Sequence, residues 1–244
     1  MRSCTRFFFC AFAIFVMPFS LAQGKEFKPS VKTSGLVFSS YSYQLSETPG
    51  AHNNQFSIDR AYLNFKAKMT EDFSARVTTD VGYLKNSDDQ KMRALLKYAY
   101  VEYKGLAKGM KLRFGAAGTG FIGKHDKFVG QRWISKAFTD ESKILSSSDM
   151  GLHIHGKHAN GMLNYQLSLI NGGGYGKKES NDGKAAQLTI TVDPMSGGDT
   201  TLPISAFISE DIGMGNNRAG EAIVGTRILG GSLGLKNKLG LLWA

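Results

Sequence analysis

The chain is nearly devoid of cysteine. Its only two cysteines, Cys4 and Cys10, lie within the first 22 of 244 residues, a segment that we expect to be removed. Small exported domains often depend on disulfide bonds, and this chain cannot form any after that removal. We therefore expect hydrogen bonding and burial alone to stabilise it.

The N-terminal segment has the features of a secretory signal peptide. Two arginines precede an apolar run over residues 7–17, and a small side chain at Ala22 ends the segment. The apolar run is shorter than the ~20 residues that a transmembrane anchor needs. We predict that residues 1–22 are cleaved off and that residues 23–244 form one domain.

Long hydrophobic runs and proline are also scarce. No apolar run after residue 22 is long enough for a transmembrane helix, and the chain has 5 prolines against 29 glycines. Many glycines with few prolines suit a strand-rich fold with tight turns. Only helices and closed barrels satisfy every backbone polar group in a bilayer, so membrane insertion requires a β-barrel.

Acidic residues are outnumbered by basic ones. The sequence has 30 Lys and Arg against 20 Asp and Glu, a net charge of +10 that falls to +8 without the signal's Arg2 and Arg6. A basic exported protein favours an anionic partner, such as lipopolysaccharide, nucleic acid or small anions. The chain has no recognition helix, zinc-ligand spacing or aromatic RNA-binding motif, and the export signal also argues against nucleic acid.

The dominant pattern after residue 22 is an alternation of apolar and polar residues. In 73–83 one face runs from Phe73 to Tyr83 and is apolar, while the other carries Arg76 and Asp80. About ten residues at ~3.3 Å each, tilted by ~45°, span about 23 Å, close to the apolar band of an outer-membrane barrel. The predicted strands are 35–44, 60–69, 73–83, 92–104, 111–116, two arms of a hairpin at Asn160-Gly161, 187–192, 201–208, 221–229 and 232–243.

The connections between these strands alternate between long and short. Tight turns are predicted at 69–72, 158–161 and Gly230-Gly231, and long connections at 118–147 and 171–184. This alternation is typical of an all-β, antiparallel, up-and-down transmembrane β-barrel with short periplasmic turns. We predict ten to twelve strands. The most direct count is eleven, which is odd, so either one strand is miscounted or the chain is the front part of a larger barrel.

Three stretches resemble the phosphate-selective porin O and P family of bacterial outer membranes. They are SSSDMGLHIHGKHANGMLNYQLSLINGGGYG, FSIDRAYLNFKAKMTEDFSARVTTDVGY and KLRFGAAGTGF. The resemblance covers roughly residues 30–176. It implies an outer-membrane location, passive diffusion of small hydrophilic solutes, a homotrimer, and a third loop folded into the pore.

The longest connection, 119–146, is the third of the long ones and is too long for an idle connector. Its candidate constriction residues are Lys124, His125, Lys127, Arg132 and Lys136. On the polar faces of the strands, the candidate pore-lining residues are Arg60, Lys66, Arg76 and Arg113. A basic constriction would attract anions and repel cations. The alternative is a solvated external loop that binds lipopolysaccharide or nothing.

These observations predict a passive porin with anion preference, phosphate included, rather than an enzyme. No nucleophile elbow or phosphate loop is present, and we expect no cofactor and no nucleic-acid partner. The expected partners are outer-membrane lipid, lipopolysaccharide and small anionic solutes. The alternative function is a structural or adhesive barrel that does not conduct.

The cluster His153, His155 and His158 raises the question of a metal site. Asn160-Gly161 is a strong two-residue hairpin signal, and a type I′ turn there pairs residues whose numbers sum to 321. His153 and His155 then share the polar face with no cysteine or carboxylate opposite, which makes a poor metal site. We therefore predict a wet lumen wall and no metal.

Overall fold

The chain folds into one antiparallel sheet of eleven strands that are hydrogen-bonded in chain order. The computed structural model describes residues 27–43, 54–83, 91–132, 134, 136–179, 181–212 and 225–243. The prediction of an all-β, antiparallel, up-and-down fold is confirmed. The described sheet is not closed, which is consistent with part of a barrel. The predicted signal peptide, residues 1–22, lies outside the described residues.

Eleven strands and three short helices make up the described structure. The strands are β1 Ser30–Tyr43, β2 Asn54–Lys68, β3 Phe73–Tyr83, β4 Met92–Tyr103, β5 Met110–Gly118, β6 Ser148–His158, β7 Leu163–Ile170, β8 Lys184–Val192, β9 Ile204–Ile212, β10 Arg227–Lys236 and β11 Leu241–Trp243. The helices are α1 Gly120–Val129, α2 Phe138–Glu141 and a 3-10 turn Ala159–Gly161. Within the described ranges, none of the helices has the length and apolar character needed to cross a membrane.

The alternation of side chains gives the sheet one polar face and one apolar face. On β3, Thr78 and Asp80 are 1% and 5% exposed, whereas Val77, the residue before Thr78 on the same strand, is 42% exposed. We call the face with Thr78 the inner face, because α1 packs on it, and the opposite face the outer face. Aromatic rings pair near both ends of the strands, Tyr41 with Phe56 at 4.8 Å and Phe73 with Tyr103 at 4.8 Å. Such bands are typical of the two membrane interfaces of a barrel.

A β-bulge resolves the irregular start of β4, where the sequence does not show which face is which. Thr78 pairs with Tyr98 but Thr79 pairs with Leu96, so Lys97 is the extra residue. The bulge turns Lys97 toward the inner face beside Tyr98, and Lys97 is only 5% exposed. The inner face therefore gains a cation that strict alternation would not place there.

The hairpin at Asn160-Gly161 is confirmed. Asn160 and Gly161 both have positive φ, 53° and 96°, and the Met162 amide donates to the Ala159 carbonyl at 2.9 Å, as in a type I′ turn. Gly156 pairs with Tyr165, in the predicted register whose residue numbers sum to 321. A side chain at Gly156 would collide with the Tyr165 ring at 2.2 Å, so glycine is required opposite this tyrosine.

The predicted turn at Gly230-Gly231 is wrong. Both glycines lie inside β10, where they pair with Phe207 and Ala206, and the chain turns at 237–240 instead. There the Asn237 side chain accepts hydrogen bonds from two following amides, an Asx turn that competes well with a glycine pair.

The predicted strand 232–243 is consequently divided between the end of β10 and β11. Trp243, which the pattern puts on the apolar face with Leu233, packs instead on the inner side against Phe128 of α1 at 5.0 Å. Its partner in the sheet is Gly234, where a Cβ would lie 2.7 Å from the Phe128 ring. The two rings therefore occupy the space that the glycine leaves.

Candidate functional site

The connection from β5 to β6 folds back over the inner face of the sheet. At its start, the side chain of Gln166 on β7 donates a hydrogen bond to the Gly118 carbonyl at 2.8 Å. Gly120 then passes so close to β8 that a Cβ there would lie 2.7 Å from Thr189 Oγ1. Phe121 packs on Phe207 with ring centroids 5.4 Å apart. The sheet face and the connection thus form one packed unit.

A small apolar core holds this connection in place. Ile122, Ala137 and Leu145 of the connection cluster with Phe207 of β9, and Ile122 is fully buried. At its far end the Ser147 carbonyl accepts from the Thr119 amide at 3.2 Å, which closes the connection at its base. The loop is therefore anchored at both ends and in its middle, and it is held against the inner face of the curved sheet.

Between α1 and the inner face of the sheet, which forms the wall, lies a cavity of about 420 Å³ with a strongly basic lining. The cations that line it are Arg76, Lys111, Arg113, Lys124, Lys127 and Lys157. No Asp or Glu of the described ranges lines it. Like-charged groups around a confined space raise the local concentration of anions and exclude cations.

The guanidinium of Arg76 is held by neutral partners. Its Nε donates to Thr78 Oγ1 at 3.0 Å and its Nη2 donates to Asn64 Oδ1 at 2.8 Å. Its Cζ lies 4.4 Å from the centre of the Tyr98 ring, in a cation–π contact. This arrangement fixes the side chain and leaves its full charge and several N–H donors toward the cavity.

Arg113 is fixed differently, by an acid behind it. Its Nε lies 2.8 Å from Glu102 Oε2, and Lys111 Nζ lies 3.7 Å from the other oxygen. Glu102 is 6% exposed and does not line the cavity. It orients these two cations, with Lys104 as a third partner at 4.0 Å, while cancelling one charge.

The predicted site residues fall into two groups. Four of the nine line the basic cavity: Lys124, Lys127, Arg76 and Arg113. The other five lie apart from it: His125, Arg132, Lys136, Arg60 and Lys66.

Three of these five have partners within their own loop. Arg132 lies 2.8 Å from Asp140 and 3.5 Å from Asp126, and Lys136 lies 3.5 Å from Glu141. His125 Nδ1 lies 3.6 Å from Asp126 Oδ1, and the His125 ring also packs on Trp243 of β11 at 5.2 Å. Their interactions hold the fold of the loop together.

Arg60 belongs to a second cluster, nearer the long connections. Its Nη2 lies 3.5 Å from Asp80 Oδ2, and its Nη1 donates to the Tyr62 hydroxyl at 2.7 Å. Lys97 lies 4.0 Å from the same oxygen of Asp80 and 3.2 Å from the same hydroxyl. Lys66 is exposed on the inner face, in register with Arg76.

The position of Lys124 beside other lysines and away from solvent lowers its pKa. Burial, together with the positive charges of Lys127 and Lys157, lowers the pKa of Lys124 to about 8. Its ammonium is therefore mostly protonated at neutral pH and loses its proton within the mildly alkaline range.

The histidine cluster is only partly at the basic cavity, because His155 lines it whereas His153 and His158 do not. His153 is fully buried on the inner face, with its Nδ1 3.0 Å from Ser168 Oγ. The His155 ring stacks beside it at 6.5 Å. Within the part of the chain that the structure describes, no group of three or more His, Cys, Asp or Glu residues could hold a metal.

Sequence reasoning missed two contributors to the inner face. Lys97 is brought there by the bulge, and the loss of alternation in the run Leu95–Tyr98 was the available signal. Tyr175 enters from the connection between β7 and β8, and its hydroxyl donates to Asp80 Oδ2 at 3.0 Å. A lone tyrosine amid four glycines was the only hint of it.

Comparison with known protein families identifies the fold. The family model for the phosphate-selective porin O and P matches residues 31–209. The chain belongs to this family. The porin family comprises channels rather than enzymes, and membership implies the bacterial outer membrane. No curated protein matches this porin chain.

Proposed function

We propose that the protein is a passive outer-membrane channel for small hydrophilic solutes and that it prefers anions. The observation that carries this proposal is the basic cavity of about 420 Å³, lined by six cations and by no acid of the described ranges. Its donors include the two arginines of the wall. Guanidinium groups suit bidentate contacts with phosphate oxygens, so phosphate is the solute that we expect to bind best.

The constriction of this channel is assigned to three lysines. Lys124, Lys127 and Lys157 line the 420 Å³ cavity and also a neighbouring cavity of about 560 Å³. A solute that moves from one cavity to the other must pass these ammonium groups. Lys124 and Lys127 come from α1 and Lys157 from β6, so the packed loop sets the width of the passage.

The remaining parts of the proposal concern processing and assembly. Residues 1–22 serve as a cleaved signal peptide and residues 23–244 form the barrel domain. The outer face contacts membrane lipid, with lipopolysaccharide at the external end, and the protein assembles as a homotrimer. The exposed apolar residues of the outer face, such as Phe114 at 67% and Leu229 at 69%, support contact with lipid.

The test is reconstitution of the folded protein in a planar bilayer. We expect discrete conductance steps and, in a salt gradient, a reversal potential biased toward the anion. If protein that is folded, as its heat-modifiable gel mobility would indicate, gives no conductance steps, the non-conducting structural or adhesive barrel is favoured. A cation-biased reversal potential would contradict the anion preference while leaving the channel intact.

Phosphate preference needs a separate measurement. Phosphate that binds in the cavity should reduce chloride conductance in a saturable way. Arg76→Lys should weaken this block, because lysine keeps the positive charge but lacks the paired N–H donors of the guanidinium group. Equal block in the wild type and in Arg76→Lys would remove Arg76 from the binding site. Arg227→Lys, the same exchange at an exposed arginine of β10 that does not line the cavity, is the matched control.

A further inference from the structure

A second segment of the chain turns toward the inner face, in addition to the connection that carries α1. It comprises residues 171–176, directly after β7, and we call it the second inward segment. Two backbone hydrogen bonds join it to β6: the Asn171 amide donates to the Met150 carbonyl at 3.0 Å, and the Tyr175 amide donates to the Ser148 carbonyl at 3.0 Å. The segment is therefore tied to the wall rather than free to extend outward.

The carboxylate of Asp149 anchors the middle of this segment. It accepts hydrogen bonds from the amides of Gly172 at 3.0 Å and Gly174 at 2.9 Å, and from the amide of Met150 at 2.7 Å. Asp149 is 2% exposed, so these amides take the place of water around its charge. A buried acid with backbone donors on both sides fixes the path of the glycine run.

Close packing couples the second inward segment to the end of the first one. Gly174 has a φ of +79°, and a Cβ there would lie 2.6 Å from Ser146 Oγ. Ser146 Oγ in turn donates to the Ser148 carbonyl at 2.8 Å. Only glycine fits at this point, both for its φ and for its contact.

The segment ends in a contact that crosses the curve of the sheet. The Tyr175 hydroxyl reaches Asp80 of β3, four strands away from β7 in the sheet order, and donates to its Oδ2 at 3.0 Å. The Tyr175 ring also lies under Lys97, whose Nζ is 5.6 Å from the ring centre. Asp80 is thus enclosed by Arg60, Lys97 and Tyr175, and only 5% of it is exposed.

We propose that Tyr175 is a selectivity-determining residue of the channel: it locks the second inward segment onto Asp80 and masks this acid from passing anions. Asp80 stands among cations in what we propose to be an anion path, where an exposed carboxylate would repel the solute. Capped by the tyrosine, it orients Arg60 and Lys97 without facing the lumen. The part of this inference that concerns selectivity rests on the proposed channel function, whereas the locking of the segment does not.

The locking is tested by limited trypsin digestion of the folded protein in detergent. Lys177 and Lys178 follow the segment directly and are exposed. In Tyr175→Phe, which removes only the hydroxyl, we expect cleavage after these lysines to be about tenfold faster, as expected for losing a hydrogen bond to a charged group. Tyr83→Phe, at an exposed site on the same strand as Asp80, is the matched control.

Cleavage after Lys108, in the turn between β4 and β5, serves as an internal reference within each digest. Unchanged cleavage after Lys177 and Lys178 in Tyr175→Phe overturns the locking, whether or not the protein conducts. This readout therefore separates failure of the inference from failure of the proposed channel function.

The masking is tested by reversal potentials in a double-mutant cycle. Tyr175→Phe should lower the anion-to-cation permeability ratio about twofold because it uncovers the carboxylate. Asp80→Asn keeps an oxygen that accepts from Tyr175 and removes the negative charge that Arg60 and Lys97 share, so the ratio should rise because these two cations are no longer neutralised. In the Asp80→Asn background, Tyr175→Phe should no longer change the ratio.

An equal effect of Tyr175→Phe in both backgrounds overturns the masking, since the effect would then not pass through Asp80. If Asp80→Asn does not reach the heat-modifiable folded form, Tyr175→Phe alone decides: an unchanged or raised ratio contradicts the proposal, and a lowered ratio supports it.

Discussion

The lysines of α1 offer the most direct test of how the basic cavity acts. The perturbation is the double change Lys124→Gln and Lys127→Gln, which removes two charges from the constriction and keeps the side-chain length similar. Both side chains line the two neighbouring cavities, which places them beside the proposed path between the two. We expect the anion-to-cation permeability ratio to fall.

The size of the effect follows from Coulomb's law. An ion about 6 Å from an ammonium in water gains or loses about 0.7 kcal/mol, and screening at about 0.1 M salt reduces this to about 0.4 kcal/mol. That energy changes the anion occupancy about twofold and the cation occupancy about twofold in the opposite direction. Each lysine then contributes about fourfold to the ratio, and the pair about tenfold or more.

The assay is the reversal potential of the reconstituted channel in a potassium chloride gradient at low and at high salt. Near 1 M salt the Debye length is about 3 Å, so the difference between the variant and the wild type should nearly vanish. Lys136→Gln is the matched control, because Lys136 is on the same loop but pairs with Glu141 and lines neither cavity. An unchanged ratio in the double variant at low salt would refute the assignment of the constriction.

Three further outcomes are expected. Because burial lowers the pKa of Lys124 to about 8, this lysine is about nine-tenths charged at pH 7 and about one-tenth charged at pH 9. Anion preference should therefore decline between these pH values in reversal-potential measurements, and the decline should be smaller in Lys124→Gln. Gly120→Ala should destabilise the protein by roughly 1–3 kcal/mol in urea titrations because its Cβ would meet Thr189, whereas Gly123→Ala, with open space around it, should be neutral or gain up to ~1 kcal/mol. Arg132→Gln should increase current noise and change selectivity little, because it breaks ion pairs inside the loop.

The strand pattern could be predicted from the sequence because burial on one face leaves a period of two. In β3, β6 and β7 the alternation is regular, and the register of the β6–β7 hairpin follows from one turn, Asn160-Gly161. Near the C-terminal end the same reasoning failed. A glycine pair can mark a turn or make room for a neighbour such as Phe207, and only the tertiary packing decides between them.

The site could be predicted only in part, because the sequence shows the cations but not their partners. Arg76 and Arg132 are both arginines, and the sequence does not distinguish them. In the structure, Arg76 is held by neutral groups and faces the cavity, whereas Arg132 is paired with two acids. Lys97 was missed for another reason. A bulge changes the face of a residue by inserting one position into the pairing, and the loss of alternation in Leu95–Tyr98 marks an irregularity without showing which residue is the extra one.

The positions of the acids explain how a wall can be both rigid and attractive to anions. Free lysines and arginines on a wet surface are mobile, and ordering them around a solute costs entropy. Glu102 and Asp80, 6% and 5% exposed, each hold cations from behind, so the charge toward the lumen stays positive while the side chains are fixed in advance. Arg76 reaches the same state with an amide, a hydroxyl and an aromatic ring, and loses no charge. Weak, preorganised contacts of this kind suit a channel, because a solute must bind well enough to enter and loosely enough to leave.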